Sequence, residues 1–393
     1  RFQEFSEQSQ GRLIPFYFQF DQNICGMGRH RNVCAVLPGR DTSERSFIVI
    51  EGHLDSRCES VCDVECKAHG MEDNGSGTAL VIELARVLSR FTFDHTIVFM
   101  ATIGEEQGLF GANAFATYAQ QNDLEIKAVL NNDIVGGIIC GETSSPPSCP
   151  GLNHIDSTQV RLFSAGGLPK QLARFVKLEY QEELEPLVPV PMMLTIMSAE
   201  DRQGRGGDHI PFRQRGYPAM RFTSANEHGN ANTSDPNYHD RQHTSGDVLG
   251  VDTDGDSVID SFFVDFNYLA RNTVINGMAA TLAALGPITP TFDGVRVGDS
   301  ILIRIHDPHQ YLHYRIFTRT NGNDFDDIFT LQGDTVFKVE RVVGVPFRIS
   351  VASVDSNGVE SLFSEEDFIF PPTATSEPDP VPERPVELYQ NRP

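Results

Sequence analysis

The sequence has few basic residues. Lysine and arginine together number 31, against 54 aspartates and glutamates, so the formal net charge of the 393 residues is −23. A surface of this charge repels phosphate backbones and anionic lipid, so we expect neither nucleic acid nor a lipid surface as a partner. Because carboxylates are plentiful, only the spacing of several of them can indicate a site.

Long apolar runs are also missing. No stretch approaches the roughly 20 apolar residues that a membrane-spanning helix requires, so we expect no membrane span. Hydrophobic residues still make up 39% of the chain, which is enough to fill folded cores. The length is too great for one ordinary core and predicts two domains or more.

The 7 cysteines lack the Cys-x2-Cys spacing that is usual in structural zinc sites. They form two close pairs and a Cys-x3-Cys-x3-Cys cluster: Cys25 and Cys34, Cys140 and Cys149, and Cys58, Cys62 and Cys66. Close pairs in an acidic chain favour disulfides over a metal cluster. We therefore expect a secreted protein, extracellular or periplasmic, in which the odd count leaves one thiol over.

Strand-like and helix-like segments alternate from about residue 33 to residue 285. Short apolar runs predict strands at 47–50, 96–102, 127–130, 191–197 and 218–222. Apolar residues at helical spacing predict helices at 74–90, 108–118 and 262–285. This alternation is typical of an α/β fold with a mostly parallel or mixed central sheet flanked by helices.

The pattern changes after the linker-like residues 286–290. Short alternating strands with turns between them follow from 295 to 370, and Ser356-Asn357-Gly358 is typical of a hairpin turn. We predict a first domain at 1–287 and a small β-sandwich at 288–371, which resembles an immunoglobulin or fibronectin type III module. Residues 372–393 are rich in proline and glutamate and are predicted to form an extended tail.

Polar segments stand where predicted strands end or just beyond them. They are 52–56 (GHLDS), 72–77 (EDNGSG), 104–108 (GEEQG) and 132–136 (NDIVG), and a fifth, 242–247 (QHTSGD), lies in a polar loop. In an open α/β sheet the ends of strands gather at one edge, where ligands bind. Each segment alone has an ordinary explanation as a turn, a helix cap or a solvated charge pair. Only their joint appearance indicates a site.

Together these segments resemble the secreted co-catalytic dizinc aminopeptidases, relatives of glutamate carboxypeptidase and the transferrin receptor. The resemblance covers about residues 32–285 and leaves the predicted β-sandwich outside. The motifs that carry it are His53-x-Asp55-Ser56, Asp73-Asn74-Gly75-Ser76-Gly77, Glu105-Glu106-x-Gly108-Leu109-x-Gly111, Asp133-x-x-Gly136, Gly207-Asp208-His209-x-x-Phe212 and His243-Thr244-x-x-Asp247. It implies the zinc exopeptidase fold and removal of residues from the amino end of peptides.

The resemblance implies a set of metal ligands and two Zn²⁺ ions per chain. His53 and Asp133 would complete one zinc site, Glu106 and His243 the other, and Asp73 would bridge the two ions. Imidazole and carboxylate are ordinary zinc ligands, whereas sites built only from oxygen suit magnesium or calcium.

Two neighbouring residues receive catalytic roles from the same resemblance. Asp55 would hold the free nitrogen of His53 and so fix the tautomer of that ring. Glu105 would act as general base, taking a proton from the attacking water and later giving it to the leaving amine. Asp208 and His209 are interpreted as structural support rather than as ligands.

Several alternatives remain open on the sequence. His239 competes with His243, although the His-Thr-x-x-Asp spacing favours the latter. A carboxypeptidase would use the same metal core and would need a basic clamp, for which Arg202, Arg205 and Arg213 are near in sequence. Glutaminyl cyclase and a non-catalytic binding protein of the same fold are disfavoured, because the ligand set is complete.

A separate acidic segment precedes the last predicted helix. Asp252, Asp254, Asp256 and Asp260 occupy positions 1, 3, 5 and 9 of a pattern that resembles a calcium-binding loop. Ser257 and Phe263 stand where an EF-hand has glycine and glutamate, so the pattern departs from that motif. Calcium is therefore a prediction that competes with an ordinary acidic turn.

Overall fold

The computed structural model describes residues 1–41, 46–139, 154–201, 205–225, 241–297, 300–340 and 346–369. Its main sheet has eight strands: β1 (Ile14–Ile24), β2 (Met27–Leu37), β3 (Ser46–His53), β4 (Thr96–Thr102), β5 (Glu125–Asn132), β6 (Gln159–Ser164), β7 (Met193–Ile196) and β8 (Ala219–Ser224). Their order across the sheet is β1-β2-β4-β3-β5-β8-β6-β7. The predicted tail at 372–393 lies outside the described residues.

The middle of this sheet is parallel, while antiparallel pairs flank it. β3 pairs in parallel with β4 and β5, and β5 pairs in parallel with β8. Toward the edges, β2 runs antiparallel to both β4 and β1, and β6 runs antiparallel to β8. The carboxyl ends of β3, β4, β5 and β8 therefore meet at one edge. The predicted fold class, a mixed central sheet flanked by helices, is confirmed.

Helices cover both faces of the sheet. They are α1 (Phe2–Gln8), α2 (Gly77–Leu88), α3 (Phe110–Gln121), α4 (Leu168–Glu179), α5 (His209–Arg213) and α6 (Phe266–Leu285). In β3, Ile48 and Ile50 join a core with α2 and α6, whereas Val49 joins a core with α3. Successive side chains of a strand face opposite sides, so a strand buried on both faces is a continuous apolar run. Among the described helices, none is long and apolar enough to span a membrane.

The sequence analysis did not predict β1, β2, β6, α1, α4 or α5. β1 is an edge strand with many exposed side chains, so it lacks a clear apolar run. α4 buries the polar side chains of Lys170, Gln171 and Arg174 together with its apolar ones. Its apolar residues Leu168, Leu172, Phe175 and Val176 nevertheless recur at helical spacing, so α4 was predictable from the sequence and was missed.

The last strands form two small sheets over a shared core. The strands are β11 (Thr291–Val297), β12 (Ser300–His306), β13 (His313–Arg319), β14 (Asp327–Gln332), β15 (Val336–Glu340), β16 (Phe347–Val354) and β17 (Asp367–Ile369), after a short pair β9 (Gly250–Val251) and β10 (Ser261–Phe262). One sheet has the order β11-β12-β15 and the other β14-β13-β16-β17. Ile301 and Ile303 of the first pack with Ile316 and Val351 of the second.

These sheets pack against α4 of the main domain. The ring centroid of Phe363 lies 4.2 Å from that of Phe317 and 5.6 Å from that of Phe175 on α4. Beside this aromatic contact, Arg174 forms a buried ion pair with Glu366 at 3.0 Å. The buried polar residues of α4 therefore serve this interface. The division into separate domains at residue 287 stays a prediction.

Four cysteines form two disulfides near the amino end of the chain. Cys25 pairs with Cys62, and Cys58 pairs with Cys66. Cys25 therefore does not pair with its sequence neighbour Cys34, which is a buried free thiol on β2 whose pKa burial raises to about 12. The other close pair, Cys140 and Cys149, lies outside the described residues.

A buried acid at the interface between α4 and the small sheets predicts a pH effect on stability. Glu179 faces Glu360 and Arg315, and burial raises the pKa of Glu179 to about 7 and that of Glu360 well above its usual range. Between the pKa that Glu179 has in the unfolded chain and about pH 7, the folded protein therefore keeps a proton on Glu179 that the unfolded chain has lost. The contribution of Glu179 to the free energy of unfolding therefore falls as the pH rises through this range.

The variant Glu179→Gln tests this effect. Relative to the wild type, its free energy of unfolding should rise with pH between 5 and 8, by about 1 kcal/mol or more. Denaturant unfolding at several pH values measures the difference. Glu182→Gln, at a carboxylate that pairs with Arg315, is the control. An equal rise in both variants would contradict the assignment to Glu179.

Candidate active site

The predicted site residues meet at the carboxyl edge of the main sheet. His53 is the last residue of β3, Glu105 and Glu106 follow β4, and Asp133 follows β5. Asp73 comes from the irregular turn Met71–Ser76 that leads into α2. His243 reaches the same edge from a distant loop, where its φ of 61° is a left-handed conformation that is uncommon for a side-chain-bearing residue.

Asp73 lies between the two histidines. Its Oδ1 is 3.1 Å from Nε2 of His53, and its Oδ2 is 3.1 Å from Nε2 of His243. Each oxygen of one carboxylate therefore faces a different imidazole. This geometry places Asp73 at the centre of the cluster.

The remaining two acids lie on opposite sides of Asp73. Asp133 Oδ1 is 3.3 Å from Nε2 of His53, and Glu106 Oε2 is 3.1 Å from Nε2 of His243. Candidate ligand atoms of His53, Glu105 and Asp133 lie within 4.8 Å of one another, as do those of His53, Asp73 and Glu106. The structure thus brings together all five residues that the sequence analysis named as ligands.

Asp55 contacts this cluster differently from the prediction. Nδ1 of His53 donates to the backbone carbonyl of Asp55 at 2.9 Å, while the Asp55 carboxylate is 3.9 Å away. That carboxylate accepts the backbone N–H groups of Glu105 and Glu106 at 3.3 and 3.2 Å. The tautomer of His53 is therefore fixed by a carbonyl, and the Asp55 side chain positions the loop that carries the two glutamates.

The turn that carries Asp73 is fixed from two sides. The side chain of Asn74 donates to the carbonyl of Asn132 at 2.8 Å and accepts from Gly77 N at 2.9 Å. A Cβ on Gly77 would lie 2.1 Å from the same carbonyl, so only glycine permits this approach of α2 to β5. The predicted helix at 74–90 begins at Gly77 for this reason, because Asp73 and Asn74 are not helical.

Asp247 connects that turn to the loop of His243. Its two carboxylate oxygens accept the backbone N–H groups of Glu72 at 2.9 Å and Asp73 at 3.0 Å. The side chain is buried. Asp247, part of the sequence motif, thereby holds the central carboxylate in register with His243.

The buried charges of the site perturb each other strongly. Burial raises the pKa of Glu105 well above its usual range, against the opposing effect of His53. Burial would lower the pKa of His53, but the carboxylates of Glu105 and Asp133 raise it well above its usual range. Burial would raise the pKa of Asp73, but hydrogen bonds with both histidines hold it well below. The cluster is therefore an acidic site that attracts cations.

Two arginines at the site were missed by the sequence analysis. Arg57 donates from Nε to Glu106 Oε2 at 2.8 Å, and its NH2 lies 2.8 Å from Nδ1 of His243. Arg221 on β8 lies 3.2 Å from Asp133 Oδ2 and is buried. Arg57 directly follows the 52–56 segment, which is the only signal that could have found it. Arg221 lies within an apolar strand and has no comparable signal.

The contact with Arg57 opposes the effect of the carboxylates on His243. Burial would lower the pKa of His243, but hydrogen bonds with Asp73 and Glu106 raise it to about 9. A guanidinium group only donates hydrogen bonds, so only the neutral ring can accept from Arg57 at Nδ1. Contact with Arg57 therefore favours the neutral form of His243.

A cavity of about 400 Å³ opens onto the cluster. Its wall includes Glu105, Glu106 and Arg205, whose NH2 donates to Gln242 at 2.7 Å. Arg213 instead forms an ion pair with Glu200, at 2.6 Å for NH2. Arg202 and the competing ligand His239 lie outside the described residues.

Asp208 and His209 lie beneath the site. Asp208 is buried and accepts a hydrogen bond from Thr102, the last residue of β4, and burial raises its pKa to about 7. His209 is also buried and begins the short helix α5. Neither residue belongs to a candidate metal group among the described residues, which agrees with their interpretation as support.

The acidic loop at 252–260 lies apart from this cluster. Carboxylate oxygens of Asp252, Asp254 and Asp260 come within 4.8 Å of one another, and all three side chains are exposed. Asp252 accepts backbone N–H groups of its own loop, including that of Gly255 at 2.6 Å. Asp256 is not part of the group and accepts from Val258 N at 2.8 Å. Calcium binding here stays a prediction.

The main cluster passes a chemical test for a divalent metal. Oε1 of Glu106 is buried and has no hydrogen-bond partner within the described part of the chain. A buried carboxylate oxygen without a partner is costly unless a proton or a cation satisfies it. With two imidazoles and several carboxylates converging, the donor set suits zinc.

Comparison with known proteins gives a consistent result. Residues 32–139 match the model of peptidase family M28. A probable zinc metalloprotease of Leptosphaeria maculans is 34% identical over 297 residues, which cover 72% of this chain and 64% of that protein. A probable zinc metalloprotease of Pyricularia oryzae is 33% identical over 294 residues, covering 69% of this chain and 53% of that protein. The chain thus spans less than two thirds of the length of these relatives.

A solved structure supports the fold. The LapA aminopeptidase of Legionella pneumophila superimposes with a TM-score of 0.50 at 16% identity, over 73% of this chain and 62% of that chain. At this identity the likeness concerns the fold alone. The resemblance expected from the sequence is confirmed, because residues 32–139 match the model of peptidase family M28.

Proposed function

We propose that this chain is a two-zinc exopeptidase that hydrolyses the amino-terminal peptide bond of peptides. The observation that carries the proposal is the position of Asp73, whose two oxygens face the Nε2 atoms of His53 and His243 at 3.1 Å each. A carboxylate in that position suits the bridge between two ions. The match to peptidase family M28 and the names of the relatives support zinc as the metal.

The ligands divide into two sets around Asp73. His53 and Asp133 form one set, and Glu106 and His243 form the other. Three carboxylates bring three negative charges against the four positive charges of two zinc ions, while the neutral imidazoles add none. The near balance of charge makes this a favourable site for two cations in a mostly buried position.

Zinc, when bound, supplies Lewis-acid polarisation of the scissile carbonyl and activates water at neutral pH. Glu105 lines the cavity and belongs to the loop that Asp55 fixes by two backbone hydrogen bonds. Its carboxylate is the base that accepts a proton from the attacking water. It then donates that proton to the nitrogen of the departing peptide, which must leave as a neutral amine.

One acid of the cavity wall suits a substrate with a free amino end. The proposed zinc ions neutralise Asp73, Glu106 and Asp133, whereas Glu105 is not a proposed ligand and can attract an ammonium group. Arg205 gives a second candidate function, because its guanidinium in the same wall is suited to the free carboxylate of a carboxypeptidase substrate.

The two disulfides support a location outside the reducing cytosol. Cys25–Cys62 and Cys58–Cys66 close loops beside the active site. Such bonds persist in oxidising compartments. We therefore propose that the protein works as a secreted or periplasmic enzyme.

A panel of short peptides decides between the two functions. The zinc-loaded enzyme should cleave peptides with a free amino end and a blocked carboxyl end, and should lose activity when the amino end is acetylated. Mass spectrometry of the products identifies the bond cleaved. Cleavage that requires a free carboxyl end would favour the carboxypeptidase, and no cleavage of any peptide would contradict both.

Removing the proposed general base should slow peptide hydrolysis and leave zinc binding unchanged. Glu105→Gln keeps the size of the side chain but cannot accept the proton, so kcat should fall by about 10²–10⁴-fold. Zinc content, measured by atomic emission on the purified protein, should stay as in the wild type. Near-normal kcat in this variant would remove Glu105 from the role.

Loss of the contact between Asp247 and the turn of Asp73 should weaken metal binding. In Asp247→Asn one backbone N–H loses its acceptor, so zinc affinity should fall by about 10- to 100-fold. Competition with a chelator measures the dissociation constants. The control is Asp307→Asn, which removes a similar acceptor of backbone N–H groups in the small sheets. Equal effects of the two variants would contradict a specific role of Asp247.

A further inference from the structure

Arg221 is a buried cation that contacts a proposed ligand of the first zinc position. It lies on β8, its side chain is 1% exposed, and its NH2 lies 3.2 Å from Oδ2 of Asp133. The opposite oxygen of that carboxylate, Oδ1, lies 3.3 Å from Nε2 of His53. The two oxygens of Asp133 therefore have different partners: one faces the proposed metal position, and the other faces a guanidinium group.

Strand β8 holds both the backbone and the side chain of Asp133. β5 and β8 pair in parallel up to Asn132 and Phe222. Beyond this pair, the backbone N–H of Asp133 donates to the carbonyl of Phe222 at 3.2 Å, and the residue before Phe222 is Arg221. Because both contacts come from adjacent residues of one buried strand, the carboxylate of Asp133 has little freedom to exchange its two oxygens.

A second carboxylate holds Arg221 in place. NH1 of Arg221 donates to Oδ2 of Asp201 at 3.0 Å, and the side chain of Asp201 is only 4% exposed. The same nitrogen donates to the carbonyl oxygen of Gly206 at 3.4 Å, and Gly206 belongs to the wall of the cavity. A buried guanidinium that left its carboxylate partners would be an uncompensated charge, which is costly. Arg221 is therefore a fixed part of the site.

The first glycine of the Gly207-Asp208-His209 motif makes room for this arginine. A Cβ on Gly207 would lie 3.2 Å from Cδ of Arg221 and 3.2 Å from Nδ1 of His209. Both distances are shorter than ordinary van der Waals contact, so a larger residue would press on the stem of Arg221. The motif thus supports the site partly through the position of Arg221.

The first zinc position needs a place for the attacking water. A catalytic zinc is usually held by three protein ligands and keeps a fourth position open for water or substrate. His53, Asp73 and Asp133 supply three donors if each gives one atom. If Asp133 gave both oxygens, a fourth protein donor would compete for the open place. The ion pair with Arg221 makes Oδ2 of Asp133 less available as that fourth donor.

We infer that Arg221 withholds Oδ2 of Asp133 from the first zinc position and so keeps a place open there for water or substrate. This inference rests on the proposed two-zinc site. Arg221 acts here as a positioning residue, because it contacts a proposed ligand rather than the substrate. Loss of its guanidinium removes a charge that repels the incoming ion and frees a second ligand oxygen. It should therefore slow hydrolysis without weakening the binding of zinc.

The variant Arg221→Met tests this separation of effects, since it removes the charge and the donors but keeps an unbranched side chain. With a peptide that has a free amino end, kcat of the zinc-loaded variant should fall by about 10- to 100-fold. Competition with a chelator measures the zinc dissociation constants, and neither should rise. A rise in either constant would show that Arg221 only supports the binding of metal. That result, or an unchanged kcat, would overturn the inference.

A matched variant controls for the loss of a buried arginine. Arg161 on the neighbouring strand β6 is fully buried, and its Nε donates to the carbonyl of Ser224 at 3.1 Å. Arg161→Met should keep the kcat and the zinc dissociation constants of the wild type. An equal fall of kcat in Arg161→Met and Arg221→Met would contradict a specific role of Arg221.

A crystal structure of the zinc-loaded wild type tests the inference even where Arg221→Met fails to fold. Oδ1 of Asp133 should lie about 2.0–2.2 Å from the nearer zinc ion, with Oδ2 still paired with Arg221. Both oxygens within bonding distance of the ion would overturn the inference and leave the proposed function intact. A wild type that binds no zinc would instead contradict the proposed function, on which the inference rests.

Discussion

The mutual repulsion of buried carboxylates is the constraint on which the rest of the site depends. Asp73, Asp133 and Glu106 are held within contact distance of two imidazoles in a mostly buried position. Two like charges roughly 4 Å apart repel by about 4 kcal/mol at an effective dielectric constant of about 20. Bound cations would relieve this repulsion, so the arrangement of the acids supports the proposed metal centre.

The main sheet provides the rigidity that this repulsion requires. Each acid follows a buried strand or a turn that is tied to one, and residues such as Asn74, Asp247 and Asp55 fix the backbone by hydrogen bonds to specific N–H and C=O groups. The disulfide-closed loop adds Arg57 at the rim. Because these contacts act on backbone rather than on flexible side chains, the ligands are positioned before any ion arrives.

The fold class and the gathering of the site were predictable because both follow from local patterns. Apolar runs mark strands that are buried on both faces, and polar segments mark their carboxyl ends. Arg57, Arg221 and the carbonyl of Asp55 were not predictable, since an arginine beside a ligand or a backbone oxygen leaves no periodic signal. The pairing of Cys25 with Cys62 was not predictable either, because cysteines that meet in the folded chain need not be close in sequence.

The central claim is that the acidic cluster is a two-metal centre, and anomalous X-ray scattering at the zinc edge tests it most directly. Crystals of the zinc-loaded protein should show two peaks about 3.5–4 Å apart, one between His53 and Asp133 and the other between Glu106 and His243, with Asp73 between them. Absence of anomalous density at this cluster, or His243 turned away from it, would contradict the account.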